Sequence, residues 1–109
     1  MTGIETIALR GDADRSGPYT IEMRIPAHTR IPPHLHPDDR VATVVSGTWY
    51  FGYGDAFDAA RLATLPAGSF YTEPAGQVHY AETHDTAVVV QLTGQGPSGT
   101  TARASRMQP

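Results

Sequence analysis

Glycine and proline divide the chain into short segments, and this restricts it to a fold built from short strands. Eleven glycines and nine prolines are spread over 109 residues. The runs between them are rich in β-branched and aromatic side chains, a pattern typical of strands. The predicted strands are Ile4–Leu9, Tyr19–Ile25, Arg30–His36, Val41–Val45, Thr48–Tyr53, Phe70–Glu73, Val78–Thr83 and Ala87–Leu92. Seven or eight strands at this spacing predict an all-β sandwich or barrel.

Local signals predict how three of the connections are made. Pro32 and Pro33 remove two backbone donors, which suits an edge strand or a bulge. Ser46-Gly47 is a turn signal and predicts a hairpin between the strands on either side of it. Asp58–Leu65 is the one segment with helical character, because Asp58 can cap it and alanines follow.

We expect a single domain over residues 1–93. Gly94–Gly99 is rich in residues that end strands, and Thr100–Pro109 has little apolar content. Residues 94–109 are therefore predicted to be a Gly/Pro-rich exit followed by a flexible C-terminal tail.

Composition excludes several classes of partner and site. The net charge is −3 and there is no large basic cluster, so no nucleic-acid partner is expected. No apolar run approaches the roughly 18 residues of a membrane span, so no membrane partner is expected. Met1–Arg10 lacks a signal-peptide pattern, and we expect a cytoplasmic protein. The absence of cysteine excludes disulfides and thiolate metal sites.

Three histidines have the spacing of a metal site. His34 and His36 lie two residues apart, so an extended segment points both to the same face. His79 follows a turn at Pro74 and Gly76 and can complete a group of three imidazoles. Neutral imidazole is a common metal ligand, and three of them leave coordination positions for water or substrate. One divalent transition metal ion (Fe, Zn, Ni or Cu) is the predicted cofactor.

Two motifs resemble those of the cupin superfamily. They are Pro33-His34-Leu35-His36-Pro37 with Gly47, and Gly68-Ser-Phe-Tyr-Thr-Glu-Pro74-Ala-Gly76-Gln-Val-His79. The resemblance covers about Tyr19–Leu92, and the run from His36 to Gly54 also resembles a subgroup of small bacterial single-domain cupins. It implies a jelly-roll barrel, also called a double-stranded β-helix, with a divalent metal inside and dimerisation through sheet packing.

The chain departs from the pattern of this family at two positions of the first motif. Arg40 stands where the family usually has a glutamate ligand, and His28 replaces the glycine that opens the motif. The expected site then holds three neutral histidines and keeps the full +2 charge of the metal. Such a site should favour an anionic or enolisable chelating substrate.

Several other residues are candidates with alternatives. Arg40 is either an anchor for a substrate carboxylate or a rim residue paired with Asp38, Asp39 or Glu73. Gln91 lies on the outer face if Val90 pairs with His79 across a two-residue turn, and becomes a fourth ligand if a bulge reverses the register.

The remaining candidates concern proton transfer. Tyr50 or Tyr71 is a possible proton donor, with packing as the alternative, and Glu73 is the nearest carboxylate base unless it is exposed. Trp49 is expected to be a packing residue. His28 and His84 lie in turns and are expected to be exposed.

Two classes of function remain open. The first is a metal-dependent enzyme acting on a small-molecule substrate, by O₂ insertion with Fe²⁺ or by Lewis-acid lyase, isomerase or cyclase chemistry. The second is a non-catalytic sensor or binding protein for a small molecule or metal. A homodimer is expected, because the aromatic strand Thr48–Tyr53 offers more apolar surface than one small barrel can cover.

Overall fold

The computed structural model describes residues 3–103, which form ten strands and one short 3₁₀ helix. The helix, η1, spans Ala59–Arg61, so the described chain contains no helix long and apolar enough to cross a membrane. The strands are β1 (Glu5–Arg10), β2 (Gly17–Ile25), β3 (Arg30–Leu35), β4 (Arg40–Ser46), β5 (Trp49–Tyr53), β6 (Ala63–Leu65), β7 (Phe70–Glu73), β8 (His79–Glu82), β9 (Val88–Gly96) and β10 (Thr101–Ala102).

The strands form two five-stranded sheets whose inner faces share one core. The first sheet has the order β1-β2-β9-β4-β7, and the second has the order β10-β3-β8-β5-β6. Both sheets contribute to the core cluster, for example Val44, Val90 and Leu92 from the first, and Ile31 and Phe51 from the second. The predicted all-β, double-stranded β-helix fold is confirmed.

From β2 to β5, and again from β6 to β10, strands that follow one another along the chain lie in opposite sheets, except that β5 and β6 share one, and this corrects two predicted pairings. β4 pairs with β7 and β9, whereas β5 pairs with β6 and β8, so the hairpin expected at Ser46-Gly47 is wrong. Gly47 instead carries the chain between sheets with a φ of +80°, where an added Cβ would lie 2.4 Å from the Ala87 carbonyl oxygen. Val90 pairs with Met23 and Val44 and not with His79.

Local signals predicted the bulge in β3, and they predicted the helical segment after Asp58 in part. Asp58 caps η1 as predicted, because its side chain accepts a hydrogen bond from the Ala60 backbone N–H. The helix is only one turn long, and the rest of the predicted helical segment is β6, which pairs with β5. The register of β3 against β8 shifts between Ile31 and His34, so the two prolines lie at the predicted bulge.

The barrel continues past residue 93, where the predicted domain ended. β9 runs to Gly96 and pairs there with the start of β2. Thr101 and Ala102 form β10 against Leu35 and His34, so this part of the predicted tail is a sheet strand. Residues 104–109 lie outside the described residues.

Side-chain alternation along β5 divides the aromatic residues from which a dimer is expected. Trp49 and Phe51 are buried in the core, so most of the aromatic surface of this strand faces inward. Tyr53 of β5 is exposed, and the other large exposed hydrophobic side chains of the described residues lie on β1, β4 and β7: Ile7, Leu9, Val41, Val45 and Phe70.

Candidate metal centre

The structure brings the three predicted histidines together at one end of the barrel. His34 on β3 pairs with His79 on β8, and His36 follows two residues after His34. The ring centroids lie 4.3 to 5.1 Å apart, and one nitrogen from each ring lies within 4.8 Å of the other two. The cluster lines a cavity of about 600 Å³ inside the barrel.

Backbone carbonyls fix the tautomer of each ring. Nδ1 of His34 donates to the Pro32 carbonyl, that of His36 to the Gly99 carbonyl at 2.8 Å, and that of His79 to the Gln77 carbonyl at 3.1 Å. A carbonyl oxygen can only accept, so each neutral ring carries its proton on Nδ1 and presents a bare Nε2. This is the arrangement by which proteins orient histidine ligands toward a metal.

The unpaired lone pairs on the Nε2 atoms fit a divalent transition metal. Among the described residues, Nε2 of His36 and of His79 are buried and have no hydrogen-bond partner. Burial lowers the pKa of His36 to about 4 and that of His79 to about 3, and also lowers the pKa of His34. The rings are therefore neutral at pH 7, which is the protonation state that a metal ligand needs.

A buried ion pair stands beside the histidines. Arg40 begins β4, Glu73 ends β7, and the two are cross-strand partners. Nε of Arg40 donates to Oε1 of Glu73 at 2.9 Å, and their side chains are only 8% and 6% exposed. Arg40 thus takes the paired alternative, but inside the barrel and not at its rim.

The carboxylate of Glu73 also lies beside the bare nitrogens of the histidines. Its Oε1 lies 3.6 Å from Nε2 of His36, and its Oε2 lies 3.6 Å from Nε2 of His79. These distances are too long for hydrogen bonds, and both sides carry lone pairs. A carboxylate and several bare imidazole nitrogens facing one another form a set of acceptors that suits a cation.

The two tyrosine candidates lie in different sheets, and only Tyr71 lines the cavity. Tyr71 is buried in the cavity wall, where its hydroxyl oxygen accepts a hydrogen bond from Nε1 of Trp49 at 3.0 Å. Burial, together with the Glu73 charge, raises the Tyr71 pKa well above its usual value. Tyr50 stacks on the exposed ring of His84 with centroids 3.7 Å apart and does not line the cavity, so its predicted place in the site is wrong.

The remaining candidates lie outside the centre. Gln91 is exposed on β9, so its side chain is on the outer face and is not a fourth ligand. His28 and His84 are exposed, as predicted. His28 has a φ of +57°, in the left-handed region that favours glycine, which explains why glycine is usual at this position of the motif.

Sequence reasoning missed the segment that closes the centre. Asp38 accepts hydrogen bonds from Tyr19, from the Gln95 backbone and from Ser98. These bonds hold the residues after β9 against the loop after β3, and so place the Gly99 carbonyl on His36. The only signal was the acidic residue itself, because its partners lie 19 to 60 positions away along the chain.

We predict that the metal-free protein loses stability as the pH falls below 6.5. His36 and His79 have folded-state pKa values below the unfolded value of 6.5, so the unfolded chain binds more protons in this range. Urea unfolding should show the free energy of unfolding falling by roughly 2 to 4 kcal/mol between pH 7.5 and pH 5. The double variant His36→Gln/His79→Gln should flatten this dependence, while His84→Gln should keep it. An unchanged slope in the double variant would show that the depressed pKa values are wrong.

Comparison with known proteins identifies the family to which the fold belongs. A family model described as a cupin domain matches residues 21–93. Among curated proteins, none matches this sequence significantly.

Solved structures with the same fold differ widely in sequence. The DMSP lyase DddQ from Ruegeria pomeroyi has a TM-score of 0.77 at 17% identity, with 91% of this chain and 51% of that chain covered. The polyketide cyclase RemF from Streptomyces resistomycificus has a TM-score of 0.77 at 15% identity, with 93% and 71% covered. An uncharacterised Klebsiella pneumoniae protein with a double-stranded β-helix domain has a TM-score of 0.69 at 22% identity, with 93% and 85% covered. This chain spans about half the length of the lyase, and identities this low show the fold alone.

Proposed function

Because the chain belongs to the cupin family, we propose that it is a metal-dependent enzyme acting on a small oxygen-rich or anionic substrate by Lewis-acid lyase, isomerase or cyclase chemistry. One observation carries the proposal: three neutral imidazoles and a buried carboxylate converge at the end of a cavity large enough for a small molecule. A lyase and a cyclase among proteins of this fold are compatible with it.

His34, His36 and His79 are the residues that would hold the metal. Imidazole ligands suit Fe, Zn, Ni or Cu better than Mg or Ca, which prefer oxygen. When bound, such an ion supplies a Lewis acid that polarises a carbonyl or carboxylate oxygen.

Glu73 is proposed as the general base. Its carboxylate lies beside the imidazoles and can accept a proton from a carbon next to a polarised carbonyl, becoming a neutral carboxyl group. Arg40 fixes the carboxylate through its Nε–H. A guanidinium has five N–H donors, so Arg40 can hold Glu73 and also bind an anionic group of the substrate.

Tyr71 is proposed to donate a hydrogen bond to the substrate. Its raised pKa keeps the phenol protonated through the neutral range. Trp49 occupies the hydroxyl oxygen as a donor, which directs the hydroxyl proton of Tyr71 away from the indole.

The test is proton exchange at a carbon acid. Zinc- or nickel-loaded protein should accelerate exchange of the C3 protons of 2-oxobutyrate with D₂O, followed by NMR. Glu73→Gln should lower this rate at least about 100-fold while the metal stays bound. Glu82→Gln, which changes a partly buried glutamate of β8 that does not line the cavity, is the matched control and should leave the rate unchanged.

Two outcomes would contradict the proposed chemistry. Equal exchange rates for wild type and Glu73→Gln would exclude Glu73 as the base. Consumption of O₂ by iron-loaded protein, without proton exchange by the zinc form, would favour O₂ insertion instead.

We also propose that the protein is a homodimer, with the outer face of β4 and β7 as the contact surface. Val41, Val45 and Phe70 are exposed on this face, and Phe70 is 64% exposed. Light scattering at micromolar concentration should report twice the chain mass of 11.7 kDa, and Phe70→Glu should halve it. A mass of about 12 kDa for wild type would contradict the dimer.

A further inference from the structure

The cavity has one polar end and one apolar end, and the strand registers show how they are arranged. The polar end contains the cross-strand pairs His34–His79 and Arg40–Glu73. Ala42 follows Arg40 by two residues on β4 and pairs with Leu92. At about 3.3 Å per residue, this level lies about 7 Å from the polar end.

The next cross-strand pairs beyond Ala42 and Leu92 are also apolar. Leu92 pairs with Ile21, and two residues back along β9, Val90 pairs with both Met23 and Val44. Ile21 and Met23 are only partly buried although they pack on the core, and both line the cavity. Among the described residues that line the cavity, Asp14, Arg40 and Glu73 are the ones with charged side chains. Asp14 belongs to the loop before β2, which starts at the polar end.

Aromatic side chains connect the two ends. The Phe51 ring lies 5.4 Å from that of His79 and 4.3 Å from that of Tyr71, measured between centroids. Trp49 lines the same cavity. A flat apolar group attached to a metal-binding head would therefore pass along an aromatic wall.

We propose that the ligand is amphipathic, with a two-oxygen chelating head at the histidines and a planar apolar body of about two fused rings between Ile21, Met23, Phe51 and Val90. The position of the head rests on the proposed function, whereas that of the apolar body rests only on the cavity. A cavity of about 600 Å³ exceeds the needs of a small oxygen-rich acid alone.

A series of hydroxamates measures the contribution of the apolar body. Acetohydroxamate, benzohydroxamate and 2-naphthohydroxamate share one chelating head and differ in apolar area. Titration calorimetry on zinc-loaded protein should show affinity rising at least about 30-fold from the acetyl to the naphthyl compound. Equal affinities across the series would overturn the proposal.

A variant that fills part of the cavity tests where the apolar body of the ligand lies. Ala81 pairs with Ile31 and Phe51 and lines the cavity two residues beyond His79. Ala81→Leu should weaken the naphthyl compound at least about 10-fold and leave acetohydroxamate unchanged. Ala63→Leu, at an exposed position of β6, is the control and should alter neither affinity. Loss of both compounds to the same degree in Ala81→Leu would place the body elsewhere.

Naphthalene alone tests the apolar end without a metal. The protein has one tryptophan, Trp49, so a single indole N–H resonance reports on the cavity. Metal-free wild type should show saturable shifts of this resonance with naphthalene. If they occur but the protein binds no metal, the inference holds and the proposed function fails. If they are absent and the hydroxamates bind equally to the zinc form, the inference fails and the proposed function stands.

Discussion

His36→Ala is expected to lower the affinity for Zn²⁺ or Co²⁺ by at least about 1000-fold. The His36 ring presents one of the three Nε2 atoms, and the Gly99 carbonyl holds it in that orientation. With two imidazoles left, the site loses one of its three nitrogen ligands. Competition with a chromophoric chelator gives the affinity of each variant.

His84→Ala is the matched control for this loss. His84 is an exposed histidine bonded to Glu82, outside the cavity, so its removal should leave the metal affinity within about twofold of wild type. Equal losses in both variants would mean that the metal binds at the surface. Retained affinity in His36→Ala would show that the histidine cluster does not bind the metal.

Arg40→Met is expected to destabilise the metal-free protein by about 3 to 5 kcal/mol. The substitution leaves the Glu73 carboxylate buried without its cation, and breaking a buried pair costs far more than the pair contributes. Methionine keeps most of the volume, so the effect reports charge rather than packing. Urea unfolding at pH 7.5 measures it.

Arg30→Met provides the comparison at the surface. Arg30 pairs with Glu82 at 3.3 Å, but its side chain is 62% exposed. The expected loss is under about 1 kcal/mol, as for other exposed pairs. If the two arginine variants lose the same stability, the Arg40–Glu73 pair is not desolvated. Saturating zinc should partly restore Arg40→Met, because a cation beside Glu73 replaces the missing positive charge.

His34 and His36 could be placed together from sequence because their spacing is local and alternation points both to one face. His79 lies 45 residues from His34 and pairs with it across β3 and β8, so its place in the cluster was predicted from the motif that it ends and not from local spacing. The strands followed from local composition. The all-β class could therefore be predicted from short-range patterns, without knowing the order of the strands in the sheets.

What sequence could not decide depended on register between distant strands. Glu73 was one of three acidic residues considered as the partner of Arg40. The two are 33 residues apart and meet because β4 and β7 are neighbours, which no local pattern shows. The side of β5 that faces the core was equally hard to predict, since Trp49, Tyr50 and Phe51 are all aromatic and either face could have been the inner one. The hairpin at Gly47 was mispredicted because a turn signal does not say whether the next strand stays in the same sheet.

Metal content is the most direct test of the proposed metal centre at His34, His36 and His79. Protein purified without added metal, then reconstituted with Zn²⁺, Fe²⁺, Ni²⁺ or Cu²⁺ and desalted, should retain close to one equivalent per chain by elemental analysis. The triple variant His34→Ala/His36→Ala/His79→Ala, shown to be folded by circular dichroism, should retain none. Less than about 0.1 equivalents of every metal in the wild-type protein would show that the three histidines do not form a metal centre.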